Sequence, residues 1–134
     1  MPEPTQPSAE THFWEKSLPD DIDWHAPLTP CAMPELMETA AKKYGDRPAI
    51  DFMDRIYTFS EVAGLVNRAA KGLQMQGVTK GSRVGLMLPN CPAMVISYYA
   101  VLKAGGTVVN FNPLYAEDEI RAQIEDSKCD ILIT

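Results

Sequence analysis

The amino-acid sequence predicts an α/β fold, a three-layer, mainly parallel sheet with flanking helices. Three observations predict it. Val84 to Leu88 is a short apolar run closed by Pro89-Asn90, and Thr107 to Phe111 is a second run of β-branched and aromatic residues. Between them, Met94, Val95, Ile96, Tyr98, Tyr99, Val101 and Leu102 make a helix-length stretch apolar nearly all round. Strand, helix and strand with joins this short form a βαβ unit, whose strands run parallel. The alternation then repeats: a polar stretch from Glu117 to Ser127 leads into an apolar strand, Cys129 to Thr134, giving β-α-β-α-β.

Residues 1–32 carry most of the prolines and no sustained period, so they read as an irregular N-terminal arm. Residues 33–134 are expected to form the α/β subdomain. Phe13, Trp14 and Trp24 either tuck the arm onto that subdomain or anchor a partner subunit, since aromatic residues favour interface cores. The second alternative makes the chain a homodimer.

Pro34 to Tyr44 predicts a helix. Proline is tolerated in its first turn, Leu36, Met37, Ala40, Ala41 and Tyr44 share a face, and Gly45 ends it. Pro48–Phe52 and Ile56–Thr58 read as a hairpin around Met53-Asp54-Arg55. Thr58-Phe59-Ser60-Glu61 is a capping box, in which hydroxyl and carboxylate each accept from the other residue's N–H. The helix it starts runs to about Gln76, with Val62, Leu65, Val66, Ala69 and Leu73 on its apolar face and Gly77 closing it. Gly64 costs that helix about 1 kcal/mol against alanine. It marks either a solvent-side position or a close approach.

In the central unit, Asn90 is the expected N-cap and Pro92 falls in the first turn. Lys103 suits the last turn, and Gly105-Gly106 supplies the stop. The helix is apolar enough that burial is expected. Glu117, Asp118 and Glu119 complement the positive end of the last helix, and Ile120 and Ile124 mark its core side. Parallel sheets need cover on both faces. An apolar strand with no crossover helix after it therefore predicts a piece of a longer polypeptide; a free-standing flavodoxin-like domain is the alternative.

Several function classes are disfavoured. Net charge is -6 with no basic patch, which argues against nucleic acid and against an anionic membrane surface. No apolar run reaches the ~18 residues of a membrane span, and Met1-Pro2-Glu3-Pro4 does not resemble a signal peptide. Cys31, Cys91 and Cys129 are odd in number and far apart, and His12 and His25 form no ligand spacing with them. They read as reduced thiols in a cytoplasmic protein, with no metal site.

No catalytic residue emerges. No glycine-rich loop joins a strand to a helix, and Gly105-Gly106 lies on the wrong side for a phosphate cradle. Cys91 sits at a helix start without a base, so its reading is structural. Asp20-Asp21 belong to the arm, and Asp51 and Asp54 flank a turn. Ligands in open α/β sheets bind outside the carboxyl ends of strands. Asn90 and Asn112 lie at two such ends and are the candidate cofactor-binding residues, each also readable as a cap or turn residue.

Leu102-Lys103-Ala104-Gly105-Gly106-Thr107-Val108-Val109-Asn110-Phe111-Asn112-Pro113-Leu114-Tyr115 resembles the second core motif of the adenylate-forming enzymes. That superfamily comprises acyl-CoA synthetases, luciferases and amino-acid adenylation domains. Tyr57 to Val62 resembles the first core motif, and Gly81–Val84 and Leu88–Pro92 resemble the stretch between. The similarity runs from about Pro34 to Thr134. Asn112-Pro113-Leu114-Tyr115 looks like the medium- and long-chain fatty acyl-CoA ligase branch. Ala116, where a hydroxyl cap is usual, and Gly85, where alanine is common, depart from it.

The resemblance implies the N-terminal subdomain of a two-step ligase. A fatty acid attacks the α-phosphate of ATP, with Mg²⁺ offsetting the phosphate charge, and coenzyme A then displaces AMP. In that family the phosphate loop, the adenine motif, the ribose-binding aspartate and the C-terminal lysine all come later in the chain. The resemblance thus implies no cofactor on this stretch, no activity of its own, and the remainder of its own chain as partner. It also implies a cytoplasmic enzyme, compatible with peripheral attachment to a membrane. The rival reading is a stand-alone nucleotide-binding or dimerisation module.

Overall fold

The computed structural model describes residues 12–134; Met1-Pro2-Glu3-Pro4 and the rest of the arm's first eleven residues lie outside that range. The chain divides into two compact units at Pro30/Cys31. In the first, Phe13–Ser17 forms a short 3-10 turn. His12 donates its N–H to Glu15 Oε1 at 2.6 Å and stacks on Trp14 with ring centroids 4.3 Å apart. Trp14 meets Trp24 edge-on at 5.9 Å, and His25 Nε2 lies 3.5 Å from Glu15 Oε2. The arm's aromatic residues therefore cluster with one another.

The second unit begins with α1 (Met33–Tyr44), with Pro34 in its first turn as expected. Strands β1 (Pro48–Phe52) and β2 (Arg55–Thr58) pair antiparallel, with Phe52 opposite Arg55. The turn is thus two residues, Met53-Asp54, and not the expected three. Both take positive φ, 48° and 62°. Positive φ at both central residues is what a type I′ turn requires, and that turn matches the twist of the strands it joins.

Helix α2 (Phe59–Met75) starts at the expected capping box. Thr58 Oγ1 accepts from the Glu61 N–H at 3.2 Å, and Glu61 Oε2 accepts from the Thr58 N–H at 2.8 Å. Val62, Val66 and Ala70 are buried, while Leu65, Ala69 and Leu73 are half-buried. The apolar face is therefore centred on the i, i+4, i+8 row through Val62.

The sheet has the order β4-β3-β5, all parallel, from β3 (Arg83–Leu86), β4 (Thr107–Asn110) and β5 (Ile131–Ile133). Each strand is shorter than its apolar run. Asp130 pins the start of one pairing: its carboxylate accepts from the Arg83 N–H at 2.7 Å, and its own N–H donates to the Arg83 carbonyl at 2.8 Å. Between the strands lie α3 (Pro92–Ala104) and α4 (Glu117–Ser127). The chain passes from β3 to β4 on one side, then back across β3 to β5. Right-handed crossovers in opposite directions place α3 and α4 on opposite faces, giving three layers.

Val84, Leu86, Ala100, Val101, Ala104, Val78 and Ala70 form the buried core, between the sheet and the α2–α3 pair. Helix α3 corrects two expectations. Its N-cap is Cys91, which makes no side-chain cap bond, and Pro92 is its first residue; Asn90 is one position too early to cap it. Only Pro92, Ala100, Val101 and Ala104 are buried, and Val95 is exposed. The core contacts concentrate in its last turns, and its first turns border an open groove. The stop is as expected: Gly105 takes φ 97° and donates to the Leu102 carbonyl at 3.1 Å.

Candidate functional site

The groove at the carboxyl side of β3 is assembled from two distant pieces of chain. Leu86 ends the strand, Met87 to Asn90 carry the chain outward, and Cys91 and Pro92 turn it into α3. Ile50, Asp51 and Phe52 of β1 form the opposite wall. The space enclosed is about 370 Å³. Asn90 lies on its rim, exposed, and its side chain makes no hydrogen bond among the described residues.

Asn112 is placed differently. Its Oδ1 accepts from the Leu114 N–H at 3.0 Å and its carbonyl accepts from the Tyr115 N–H at 3.1 Å, so its side chain stabilises its own turn. It does not line the groove that Asn90 lines. The two residues stand beyond the ends of neighbouring strands without converging on one cavity.

The groove's chemistry is apolar, with Met94 and Val95 adding to Ile50 and Phe52. Neither lysine nor arginine lines it, and Asp51 contributes a carboxylate. A nucleotide's phosphates need cationic side chains or a cradle of backbone N–H groups. These residues do not fit a nucleotide phosphate or its metal. Among the described residues, no three His, Cys, Asp or Glu side chains gather to hold a metal ion.

The cysteines are free thiols. Cys129 lies 3.2 Å from the Ile131 carbonyl oxygen and 3.5 Å from that of Arg83, and burial pushes its thiol up from the ordinary value. Such a thiol is a poor nucleophile at neutral pH. Glu38 of α1 pairs with Lys103 of α3. The lysine's hydrogen bond and charge hold the Glu38 carboxyl below its ordinary value.

A second groove, also about 370 Å³, lies between β2 and the first turns of α2. Arg55, Tyr57, Ser60, Gly64, Leu65 and Arg68 line it, along with the capping residue Glu61. Sequence reasoning missed it. The available signal was the i, i+4, i+8 row Ser60-Gly64-Arg68, which puts a hydroxyl, an empty position and a guanidinium on one stripe.

The profile of the family described as AMP-binding enzyme matches residues 37–134. A long-chain-fatty-acid–CoA ligase of Bacillus subtilis (strain 168) is 40% identical over 121 residues, which cover 90% of this chain and 22% of that protein. Syringomycin synthase SyrB1 of Pseudomonas syringae pv. syringae is 33% identical over 109 residues, covering 81% of this chain and 18% of that protein. Among solved structures, the Klebsiella oxytoca NpsA N-terminal subdomain in complex with anthranilyl-AMSN superposes with a TM-score of 0.74 at 26% identity. That match covers 77% of this chain and 27% of the other. The chain spans about a fifth of the length of each of these two relatives. No helix among the described residues is long and apolar enough to cross a membrane.

Proposed function

The chain belongs to the AMP-binding enzyme family, and from that premise we propose that it is the N-terminal portion of a fatty acyl-CoA ligase. The observation that carries the substrate class is the identity to a long-chain-fatty-acid–CoA ligase, higher than that to syringomycin synthase SyrB1. Asn112-Pro113-Leu114-Tyr115 after β4 supports the same branch. In this reading residues 1–32 are the arm and residues 33–134 the subdomain, and ATP, Mg²⁺ and coenzyme A are bound by the whole cytoplasmic enzyme.

The groove beside Asn90 lacks cationic groups, which supports a reading in which that crevice holds no phosphate and the core motifs of this stretch are structural. Its two core motifs cap α2 through Thr58 and Glu61 and reverse α3 into β4 through Gly105. Fatty-acid-dependent ATP–pyrophosphate exchange, measured on the protein that carries this stretch, tests the reading. Medium- and long-chain fatty acids are expected to support exchange. Exchange with amino acids or aryl acids alone would assign the chain to another branch. The 134-residue chain by itself is expected to release no pyrophosphate.

A further inference from the structure

We propose that the groove between β2 and α2 binds an organic oxyanion, a phosphate ester or carboxylate carried on a small apolar body. The Arg55 guanidinium lies 4.4 Å from the centroid of the Tyr57 ring, a cation–π contact between two residues that line the groove. Arg68 lies along α2 with Nη1 3.8 Å from where a Cβ on Gly64 would stand. Neither arginine is paired with a carboxylate among the described residues, in a chain of net charge -6. Two guanidiniums and the Ser60 hydroxyl are donors suited to an oxyanion, which arginine binds bidentately. Glu61 also lines the groove, but its Oε2 is held by the Thr58 N–H at 2.8 Å.

Gly64 supplies an independent observation. Glycine is disfavoured in a helix interior, and here no neighbour demands it. Within 4 Å its missing Cβ would meet the Arg68 guanidinium and nothing else. What the absent side chain leaves is the groove itself, walled by Leu65 and the Tyr57 ring. Gly72, in the same helix, has nothing within 4 Å of its missing Cβ and lines no part of this groove. It serves as a control.

The test is an NMR titration of the 134-residue chain with phenyl phosphate, benzoate and inorganic phosphate. Saturable shifts are expected at the amides of Arg55, Tyr57, Gly64, Leu65 and Arg68, and at the arginine side chains. Tighter binding of phenyl phosphate than benzoate assigns a phosphate ester, and the reverse order a carboxylate. Arg68→Gln should weaken the tighter probe about tenfold, the loss of one charge-assisted contact. Gly64→Leu should abolish binding, and Gly72→Leu should leave it unchanged. The proposal is overturned if the shifts do not saturate or map elsewhere, or if inorganic phosphate binds as well as either organic probe. Unchanged affinity in Arg68→Gln would overturn it equally, and that exposed substitution leaves the packing of α2 in place.

Discussion

Val84 and Leu86 point to one face of the parallel sheet, and Gly85 between them points to the other. On the first face, Val108, Ile131 and Ile133 complete an apolar layer under α3, which α2 covers in turn. Both Val84 and Leu86 are fully buried there. The crossover helix on the second side is α4, none of whose residues is buried and which packs only sparsely on the strands. The gap at Gly85 is filled from within the sheet. A Cβ there would stand 2.6 Å from Leu132 Cδ1, 2.7 Å from Phe111 Cε2 and 3.0 Å from Cys129 Sγ. The contrast teaches that one sheet can be held by a helix pair on one side and by its own strand-end side chains on the other. The fold's stability should therefore be distributed unequally.

Substitutions on the two faces sharpen that contrast. The largest effect is expected from Leu86→Ala, which empties a fully enclosed site and should lower stability by about 2–5 kcal/mol in urea unfolding. Gly85→Ala comes next. The added methyl must displace Phe111 and Leu132, a loss of about 1–3 kcal/mol, and Phe111→Leu in the same chain should recover part of it. Equal tolerance of alanine at positions 85 and 86 would break the comparison. Ile124→Ala, at a half-buried position of the mostly exposed α4, should change stability by about 1 kcal/mol or less.

The smallest effect concerns the α1–α3 link. The Glu38 carboxyl is depressed by the Lys103 hydrogen bond first and by its charge second. A carboxyl whose folded value is lowered adds stability above its unfolded value and loses it as pH falls through the folded one. The difference between the native chain and Lys103→Met should be present at neutral pH and shrink as the solution is acidified below the ordinary glutamate range. A difference that grows on acidification would contradict the assignment. Because Glu38 is open to solvent, raised salt should also diminish it.

Local chemistry is where sequence and structure agree. Thr58 and Glu61 satisfy each other within three residues, and Gly105 is left-handed because a chain leaving α3 for β4 needs that reversal. Disagreements arise where a longer-range term decides. The Met53-Asp54 turn carries no glycine, so a two-residue hairpin was invisible, and strand pairing imposes the positive φ. Asn90 and Cys91 are adjacent candidates for one cap; Pro92 as first helical residue gives the position to Cys91 despite its weaker side chain. Composition alone made α3 look wholly buried, but its first turns lie beside β1 with an open groove between. The position of Asn90 beyond the end of β3 is legible because strand ends are read from local signals. The wall opposite it, Ile50 to Phe52, comes from about forty positions earlier, a juxtaposition that periodicity does not encode.

Amide hydrogen exchange under native conditions tests the unequal-face account most directly. Amides of β3 and of the last turns of α3 are expected to exchange only through global unfolding, with a denaturant dependence matching that of the whole domain. Those of α4 should open locally, at lower free energy and with little denaturant dependence. Protection of α4 equal to that of β3 would contradict the account, because it would mean that both faces of the sheet are held alike.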